Sequence, residues 1–421
     1  MKKILFVSIF IIVFTSCSPK YYGREIDKEI YKIIQKNREI AQESKMPIKF
    51  SEETNKETII FSLKDALIFA SNKNREYQMT KENVYLSVLD LIYQRYLFNP
   101  HLTLTGDINW NVDSQNKITS NLKVNLIQAL STAGEISINI GEAIVKYLTG
   151  DKEKTFQSIV SLNLFQPLFK GAGRKVALEN LIQSERNLIY QIRDFLRYQK
   201  NFSMEITRDY LNLFLYKKRM ENYYTNYLNL KQTRERIEML SEAGRIASFQ
   251  VDQARQNEYT AYQRWIDAQN LYYSSLDVFK IKLGLSPSHN LVLRDSDIEE
   301  LFEKPLPEIK IDTQKYIDYA LQNRLDLITE YEKLDDSKRK VEIAINNLKN
   351  KIDLTASITS SGDVKDKPNI DINSPEYSVG VDFNIPFNKL PQRNEYKKAL
   401  IQYERAKRSF EKKVDNVKKE I

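Results

Sequence analysis

The chain contains one structural plan twice, and the two copies can be aligned residue by residue. At a separation of 250 residues, the matching positions include Ala70 and Ala320, Leu104 and Leu354, and Thr105 and Thr355. At a later separation of 219 residues, they include Pro167 and Pro386, Arg174 and Arg393, and the run Ile182, Gln183, Glu185 and Arg186 with Ile401, Gln402, Glu404 and Arg405. An internal repeat of this size predicts an architecture built from two related halves.

The change of separation locates an insertion in the first copy. Because the separation falls from 250 to 219, the first copy holds 31 residues, between Ile108 and Pro167, that the second copy lacks. This is the size of one β-hairpin, so we expect four strands in the first copy and two in the second, near Ile352–Ser360 and Glu376–Ile385. The sequence leaves open whether the added hairpin joins the same wall of strands or projects from it.

Alternating polar and apolar residues predict the strands. The residues from Leu102 to Gln166 change from a helical to a two-residue period, most clearly over 121–126, where polar and apolar side chains alternate without exception. Strands with two such different faces suit a sandwich, or the wall of an outer-membrane barrel in which one face meets lipid and the other lines a wet lumen. The alternation alone does not choose between these two settings.

Long helices surround the predicted strands. The sequence Ser62–Asp65 reads as the start of a helix that continues to about Phe98. After Arg174, apolar residues recur every seven positions, which is the coiled-coil signature; they are Leu181, Leu188, Phe195 and Phe202. Gly244 fits the C-terminal cap of this long helix, and a return helix is expected from about Ser248 to Leu283, ending at Gly284.

The N-terminus carries a targeting signal. Two lysines precede the apolar run Ile4–Phe14, which is too short for a spanning helix and is followed by Cys17. Cys17 is the only cysteine in the chain, so no internal disulfide can form. Cys17 is either covalently modified where the signal ends, or it is an incidental cysteine next to the cleavage site of an ordinary signal peptide. We assign residues 1–16 to a signal peptide and residues 17–61 to an N-terminal tether.

Several function classes lack supporting residues. The net charge of +8 is spread over mixed-sign helical segments, without the basic, aromatic-interleaved stretch that nucleic-acid binding favours. The two histidines, His101 and His289, have no second ligand at metal spacing and are predicted to be surface residues. No pair of acidic residues forms an acid–base constellation. From these three observations together, we predict no catalytic residue, cofactor, metal site or nucleic-acid partner.

Four segments together resemble the TolC-like outer-membrane efflux family, in particular its lipoprotein members. They are Ser62–Leu67 with Asn72–Tyr77, Gln166–Arg174 at a strand-to-helix exit, Ala243–Asp252 at a helical turn, and Leu283–Ser286 at the end of the return helix. No single segment is specific, but their order, spacing and duplication over Ser62 to the C-terminus make the resemblance strong. In the lipoprotein members the cysteine that ends the signal is acylated, which by resemblance assigns lipidation to Cys17.

The resemblance implies an α+β fold of long antiparallel coiled-coil hairpins and antiparallel strands, with three chains sharing one outer-membrane barrel. It also implies an outer-membrane channel of a tripartite efflux or type I secretion system, with a lipid anchor and helices that extend into the periplasm. The implied partners are two further copies of the chain, outer-membrane lipid, a periplasmic adaptor protein and an inner-membrane transporter. The alternative is a lipid-anchored periplasmic coiled-coil structural or adaptor protein without a pore.

The resemblance also assigns candidate sites. By position, the adaptor-docking turn consists of Ala243, Gly244, Arg245, Ile246 and Ala247, although Gly244 could instead merely end a helix. The strand-to-helix exits are marked by Pro167, Gly171, Gly173 and Pro386. The predicted organisation is then a first repeat over residues 62–284, a linker over 285–310 and a second repeat over 311–421.

The repeat also predicts where the second copy would end. A separation of 219 places the counterparts of Gly244 and Gly284 at positions 463 and 503, whereas the last residue is Ile421. We therefore expect a C-terminally truncated chain, either a fragment or the product of a disrupted gene, that lacks the second turn and its entrance-narrowing residues.

Overall fold

The computed structural model describes residues 28, 30–35, 59–111, 117–147, 155–296, 312–364 and 374–421. These residues fall into two compact units. The first, here the sheet unit, takes its residues from Met1–Ala41, Tyr85–Arg193 and Asp312–Ile421; the second, the hairpin unit, takes them from Gln42–Val84 and Asp194–Ile311. Within these ranges, we find no helix whose length and hydropathy suffice to cross a bilayer.

Helices and strands follow the order that the repeat predicts. The strands are β1 Ile59–Phe61, β2 His101–Asn111, β3 Lys117–Ala129, β4 Glu135–Tyr147, β5 Thr155–Pro167, β6 Leu291–Leu293, β7 Lys351–Val364 and β8 Glu376–Asn384. The helices are α1 Leu63–Lys73, α2 Arg75–Tyr96, α3 Arg174–Ala177, α4 Glu179–Glu242, α5 Ser248–Leu283, α6 Thr313–Asn323, α7 Leu325–Asn347 and α8 Leu390–Glu420.

The sheet unit contains one six-stranded sheet in the order β2-β3-β4-β5-β7-β8, and every neighbouring pair is antiparallel. The first copy supplies four strands and the second copy two, the numbers that the two separations predict. The hairpin β3–β4 lies inside the sheet, between β2 and β5, and does not project from it.

Each copy has a helix break at the equivalent position, which the sequence reading missed. The opening helix was expected to run unbroken to about Phe98, but Asn74 interrupts it with an extended backbone, φ −64° and ψ 127°. In the second copy Arg324 does the same, with φ −70° and ψ 119°. These residues are 250 positions apart, so the register of the repeat extends to this detail. Neither residue is Gly or Pro, and the sequence therefore gave no breaker signal.

The core of the hairpin unit follows the heptad positions. Phe202, Ile206 and Leu213 on α4 are buried and form one cluster with Phe279 and Leu283 on α5. Further along, Tyr224 and Tyr227 of α4 lie against Trp265 of α5, with ring centroids 4.9 and 5.8 Å apart. Burial of these aliphatic and aromatic side chains is the main stabilisation of the long helices, which would not persist alone.

Two segments assigned to the tether and the linker form structure that the sequence did not reveal. Strand β1 pairs in parallel with β6, from Ile59 opposite Leu291 to Phe61 opposite Leu293. The next residue, Ser62, caps α1: its hydroxyl accepts from the Asp65 backbone at 3.1 Å, while the Asp65 carboxylate accepts from the Ser62 backbone at 3.3 Å. Asp65 thus completes the capping box in place of the usual Glu or Gln. Three-residue strands are too short for alternation to reveal.

Candidate functional site

One face of the six-stranded sheet is apolar. Because side chains alternate along a strand, the pairing register places the following residues on this face: Leu102, Leu104, Ile108 and Trp110 of β2; Ile118, Leu122, Val124 and Leu126 of β3; Ile136, Ile138, Ile140 and Ile144 of β4; Phe156, Val160, Leu162 and Leu164 of β5; Leu354, Ala356 and Ile358 of β7; and Tyr377, Val379, Val381 and Phe383 of β8. We call this set the apolar sheet face. Many of its large side chains are exposed, from 36% for Ile136 to 77% for Val379.

The opposite face carries mainly hydroxyl and amide side chains. They include Thr103, Thr105 and Asn109; Asn121 and Asn125; Ser137 and Asn139; Ser161 and Asn163; and Thr355, Ser357 and Thr359. Neighbouring strands are linked by these side chains, for example where the Asn121 amide donates to the Asp107 carboxylate at 2.8 Å and the Asn139 amide to the Ser161 hydroxyl at 3.3 Å. We call this the polar sheet face.

Each face has exceptions. Glu142, Lys146 and Ser158 interrupt the apolar sheet face, and Ile127, Val145, Ile159 and Phe165 interrupt the polar one. Ile159 fills the space beside Gly141, where an added Cβ would lie 3.0 Å from the Ile159 side chain. The two faces nevertheless differ strongly along every strand.

The outermost strands have edges that no described strand covers. β2 and β8 each pair with one neighbour, so one row of backbone N–H and C=O groups on each points outward. Their apolar side chains are also the most exposed of the face: Ile108 is 77% and Phe383 73% exposed, against 47% for Ile140 on the interior strand β4. An edge of this length is a template for pairing with another chain.

The predicted strand-to-helix exit has a defined geometry in the sheet unit. Pro167 ends β5, and the backbone N–H of Gly171 then donates to the Asn346 side chain at 2.7 Å. Gly171 and Gly173 have φ of +83° and +99°, and α3 begins directly after them. In the second copy, Pro386 follows β8 and precedes α8, so both exits combine a proline after the strand with a helix start. The described polar contacts of Gly171 and Gly173 are backbone contacts of a turn between strand and helix.

The predicted docking turn joins α4 and α5 in the hairpin unit. Gly244 has φ +72°. Its N–H donates to the Ser241 carbonyl at 2.9 Å, and the Arg245 N–H donates to the Leu240 carbonyl at 2.9 Å. These two bonds form a Schellman motif, in which the residue after the helix needs a left-handed backbone that glycine adopts without strain. An added Cβ would meet no atom within 4 Å, so glycine is needed here for its backbone and not for space.

The turn presents an exposed tip. Ala243, Gly244, Arg245 and Ala247 are exposed, whereas Ile246 is half-buried and lines a groove of about 360 Å³ between α4 and α5. Two large apolar side chains flank the tip, Met239 at 63% and Phe249 at 66% exposure. Sequence reasoning missed both, although their position within five residues of Gly244 was a usable signal. The structure thus offers a small apolar surface around one positive charge.

A cluster of charges lies on the helices near the tip. Arg234 contacts both Glu238, at 2.5 Å, and Glu258, and Arg255 contacts Glu238 at 2.9 Å. The hydrogen bond from Arg255, with the charge of Arg234, lowers the pKa of Glu238 below its usual range, although partial burial acts in the opposite direction. The cluster joins the two helices and favours the ionised form of Glu238.

A second polar cluster, in the sheet unit, joins α4 to α7. The Asp336 carboxylate is almost completely buried and accepts hydrogen bonds from Arg186 and Arg339, both at 2.8 Å, and from the Tyr190 hydroxyl at 2.8 Å. Burial, followed by this hydrogen bond, raises the pKa of Tyr190. The sequence did not identify this cluster because its members are about 150 positions apart. Three donors thus satisfy the buried carboxylate and hold α4 against α7.

The remaining candidates have different outcomes. Cys17, the predicted lipidation site, lies outside the described residues, as do residues 1–27 in general. His289 is exposed, as expected, whereas His101 is half-buried: its ring packs on Tyr96 with centroids 4.1 Å apart, and its ring nitrogens are buried. Over the described ranges, no three or more His, Cys, Asp or Glu side chains are arranged to hold a metal ion.

No protein-family model matches the chain. No curated protein matches it either. The solved structures do match. CusC, whose structures concern transmembrane channel formation, has a TM-score of 0.58 at 16% identity, covering 90% of this chain and 80% of its own. The outer membrane protein VceC from Vibrio cholerae has a TM-score of 0.57 at 13% identity, covering 84% and 75%, respectively. The CmeC outer membrane channel from Campylobacter jejuni has a TM-score of 0.56 at 15% identity, covering 84% and 68%.

These likenesses extend over most of each chain, and at these identities they concern the fold. They agree with the α+β architecture of long helices and antiparallel strands described above. The chain therefore has the fold of the TolC-like outer-membrane channels, as its sequence motifs indicate.

Proposed function

We propose that the chain is the outer-membrane channel of a tripartite efflux or type I secretion system and acts as a passive conduit for export. The observation that carries this proposal is the six-stranded sheet with one exposed apolar face, one polar face and two uncovered edges. The solved channels that share its fold support the same function.

The apolar sheet face supports a position in a lipid bilayer. In water, each exposed Val, Leu, Ile or Phe side chain forgoes about 1.5–3 kcal/mol of transfer free energy. More than twenty residues form this face, so hydration of the whole face would be strongly unfavourable, whereas lipid would cover it without cost. The polar sheet face would then line the aqueous lumen, since its hydroxyl and amide groups can hydrogen-bond to water.

The uncovered edges support a trimer. A sheet of six strands is too narrow to close alone, and unpaired backbone groups are costly in a membrane. Because neighbouring strands alternate in direction, β8 of one copy is antiparallel to β2 of the next. Identical copies can therefore pair edge to edge, and three of them close a ring, as the TolC-like fold suggests.

The tip of the hairpin unit is the proposed docking surface for a periplasmic adaptor protein. Arg245 supplies a positive charge, and Met239 and Phe249 supply the exposed apolar side chains that a partner would bury. The adaptor would connect the channel to an inner-membrane transporter, which would supply the energy. Cys17 would carry the lipid that anchors the mature N-terminus to the outer membrane.

The channel proposal is tested with the purified full chain in detergent and in planar lipid bilayers. We expect a trimer that dissociates on heating, and discrete single-channel currents. A lipid-anchored coiled-coil protein without a pore, the alternative function, would give no current at any protein concentration, and that result would refute the proposal.

The docking proposal is tested with Arg245→Glu. Reversal of this exposed charge should reduce cross-linking to the adaptor at least tenfold while trimer formation and conductance stay unchanged. The matched control is Arg264→Glu, an equal charge reversal on the exposed side of α5 away from the turn. Equal cross-linking in both variants would reject the docking role of the turn.

A further inference from the structure

The hairpin β3–β4 is paired along both of its sides. Its β3 strand pairs with β2 from His101 opposite Ile127 to Asn111 opposite Lys117. Its β4 strand pairs with β5 from Glu135 opposite Phe165 to Val145 opposite Thr155. No bulge or slip occurs in these registers, so the hairpin is a continuous part of the sheet and separates β2 from β5.

The hairpin also continues both faces of the sheet. Leu122, Val124 and Leu126 extend the apolar sheet face across β3, as Ile136, Ile138 and Ile140 do across β4. On the other side, Asn125 lies opposite Asn139, and Asn139 lies opposite Ser161. In a hairpin that projected from the sheet, nothing would require the apolar side chains to lie on the same face as those of β2 and β5. A register shift of one residue would move all of them to the opposite face.

The turn of the hairpin is bound to the strand-to-helix exit. The Thr132 hydroxyl donates to the Gln166 side-chain oxygen at 2.8 Å, and the Thr132 carbonyl accepts from the Gln166 amide at 3.2 Å and from the Gly173 N–H at 3.2 Å. Gly134 lies so close to β5 that an added Cβ would be 2.9 Å from the Phe165 carbonyl oxygen. The turn and the exit therefore fit together, and the hairpin is built into the unit at this end also.

We propose that β3–β4 widens the channel, so that three copies close an eighteen-stranded barrel where the repeat without this hairpin would close a twelve-stranded one. This inference rests on the proposed trimeric channel and adds the size class of its cargo. With strands about 4.8 Å apart and tilted by about 40°, the barrel diameter between backbones rises from about 24 Å to about 36 Å. Barrels of this strand number leave an open aqueous channel.

The wider lumen fits bulky hydrophilic cargo. The lumen wall would consist mainly of Asn, Ser and Thr side chains, which hydrogen-bond to hydrated solutes without selecting strongly for either charge. The class of cargo that needs such a pore is a polymer or a partly structured polypeptide, whereas a small amphipathic molecule would pass a narrower one.

The first test removes the hairpin. Deletion of residues 116–146 takes out 31 residues and joins β2 to β5 through twelve loop residues, close to the length of the β7–β8 connection in the second copy. Because lumen area scales with the square of the strand number, the single-channel conductance should fall about twofold. An unchanged conductance would overturn the proposal while leaving the channel function intact, and the absence of current in the parent chain would instead refute the channel itself.

The second test keeps the hairpin and does not depend on refolding of the deletion variant. Asn139→Cys lies on the polar sheet face of β4, and its neighbour Ile138→Cys lies on the apolar sheet face. A charged, water-soluble methanethiosulfonate should reduce the current through Asn139→Cys and leave Ile138→Cys unchanged; the parent chain, with Cys17 as its only cysteine, is the blank. Equal responses of the two variants would show that the hairpin lies outside the wall.

Discussion

Asn74 and Arg324 occupy equivalent positions in the two copies, and both interrupt a helix with almost the same backbone conformation, but they do so with different chemistry. Asn74 accepts from the Tyr77 N–H at 2.7 Å and donates to the Lys282 carbonyl at 2.6 Å, so its neutral amide satisfies two backbone groups. Arg324 instead forms two parallel bonds with Asp326, at 3.1 and 3.0 Å, and a third with Glu420 at 2.5 Å.

The side chains that surround the two helix breaks also differ in chemistry. Tyr77 packs on Phe195, Tyr198 and Phe202 with ring centroids 5.2 to 6.0 Å apart, whereas the counterparts of Tyr77 and Tyr198 are Leu327 and Val417, both buried. The repeat has thus retained a backbone shape while the side chains that stabilise it have changed from amide and aromatic to ionic and aliphatic. Shape, and not residue identity, is what the two copies share here.

The largest expected effect concerns the first break. Asn74→Ala leaves the buried N–H of Tyr77 and the partly buried carbonyl of Lys282 without their partner and should cost about 2 kcal/mol. This corresponds to about 30-fold faster hydrogen exchange in peptides that cover 70–80, measured by mass spectrometry on the full chain. Ser71→Ala is the matched control, since the Ser71 hydroxyl donates to the carbonyl of Ile68 in its own helix. Equal exchange in both variants would contradict the role of the Asn74 side chain.

A smaller and salt-dependent effect is expected at the second break. Arg324→Ala removes the paired bonds to Asp326, but Lys413 remains 2.8 Å from that carboxylate, so we expect a cost of about 1 kcal/mol at low ionic strength. Hydrogen exchange over 320–330 should report it, and the difference from the parent should shrink in 1 M salt. The exposed pair of Lys315 with Asp312 provides the control Lys315→Ala, with almost no effect. If the salt dependence appeared at Asn74 instead, the comparison of the two breaks would be wrong.

The smallest effect is the alkaline loss of stability that comes from Tyr198. Burial, and then the nearby Glu76 and Glu205, raise the pKa of Tyr198 from 10 to about 12. Because the folded state holds this proton more tightly, its contribution is complete below pH 10 and is lost as the pH rises from 10 to 12. Tyr198→Phe should reduce the loss of denaturant resistance over this pH range. The second copy has Val417 at this place, so peptides from its helices should show no change.

The sequence predicted much of the architecture because the repeat is a long-range signal that needs no alignment with other chains. Two registers sufficed to predict the numbers of strands and the extra hairpin, and Gly244 and Gly284 marked the C-terminal ends of α4 and α5. The docking turn and the lipidated cysteine stay predictions. What the sequence could not supply were contacts between distant positions, such as Asp336 with Arg186, and features without a local signal, such as the break at Arg324 and the three-residue strands β1 and β6.

Under the proposed channel function, the hairpin turn at Thr132 and Gly134 has a consequence for how proteins of this fold diversify. A hairpin adds one strand in each direction, so the edges of the sheet keep their opposite polarity and the ring can still close on itself. The width of the pore can therefore change only in discrete steps. Each step adds one hairpin to every chain of the assembly. A gene segment of about 30 codons, inserted at a single site, would then reset the size limit for cargo without any change in the helices.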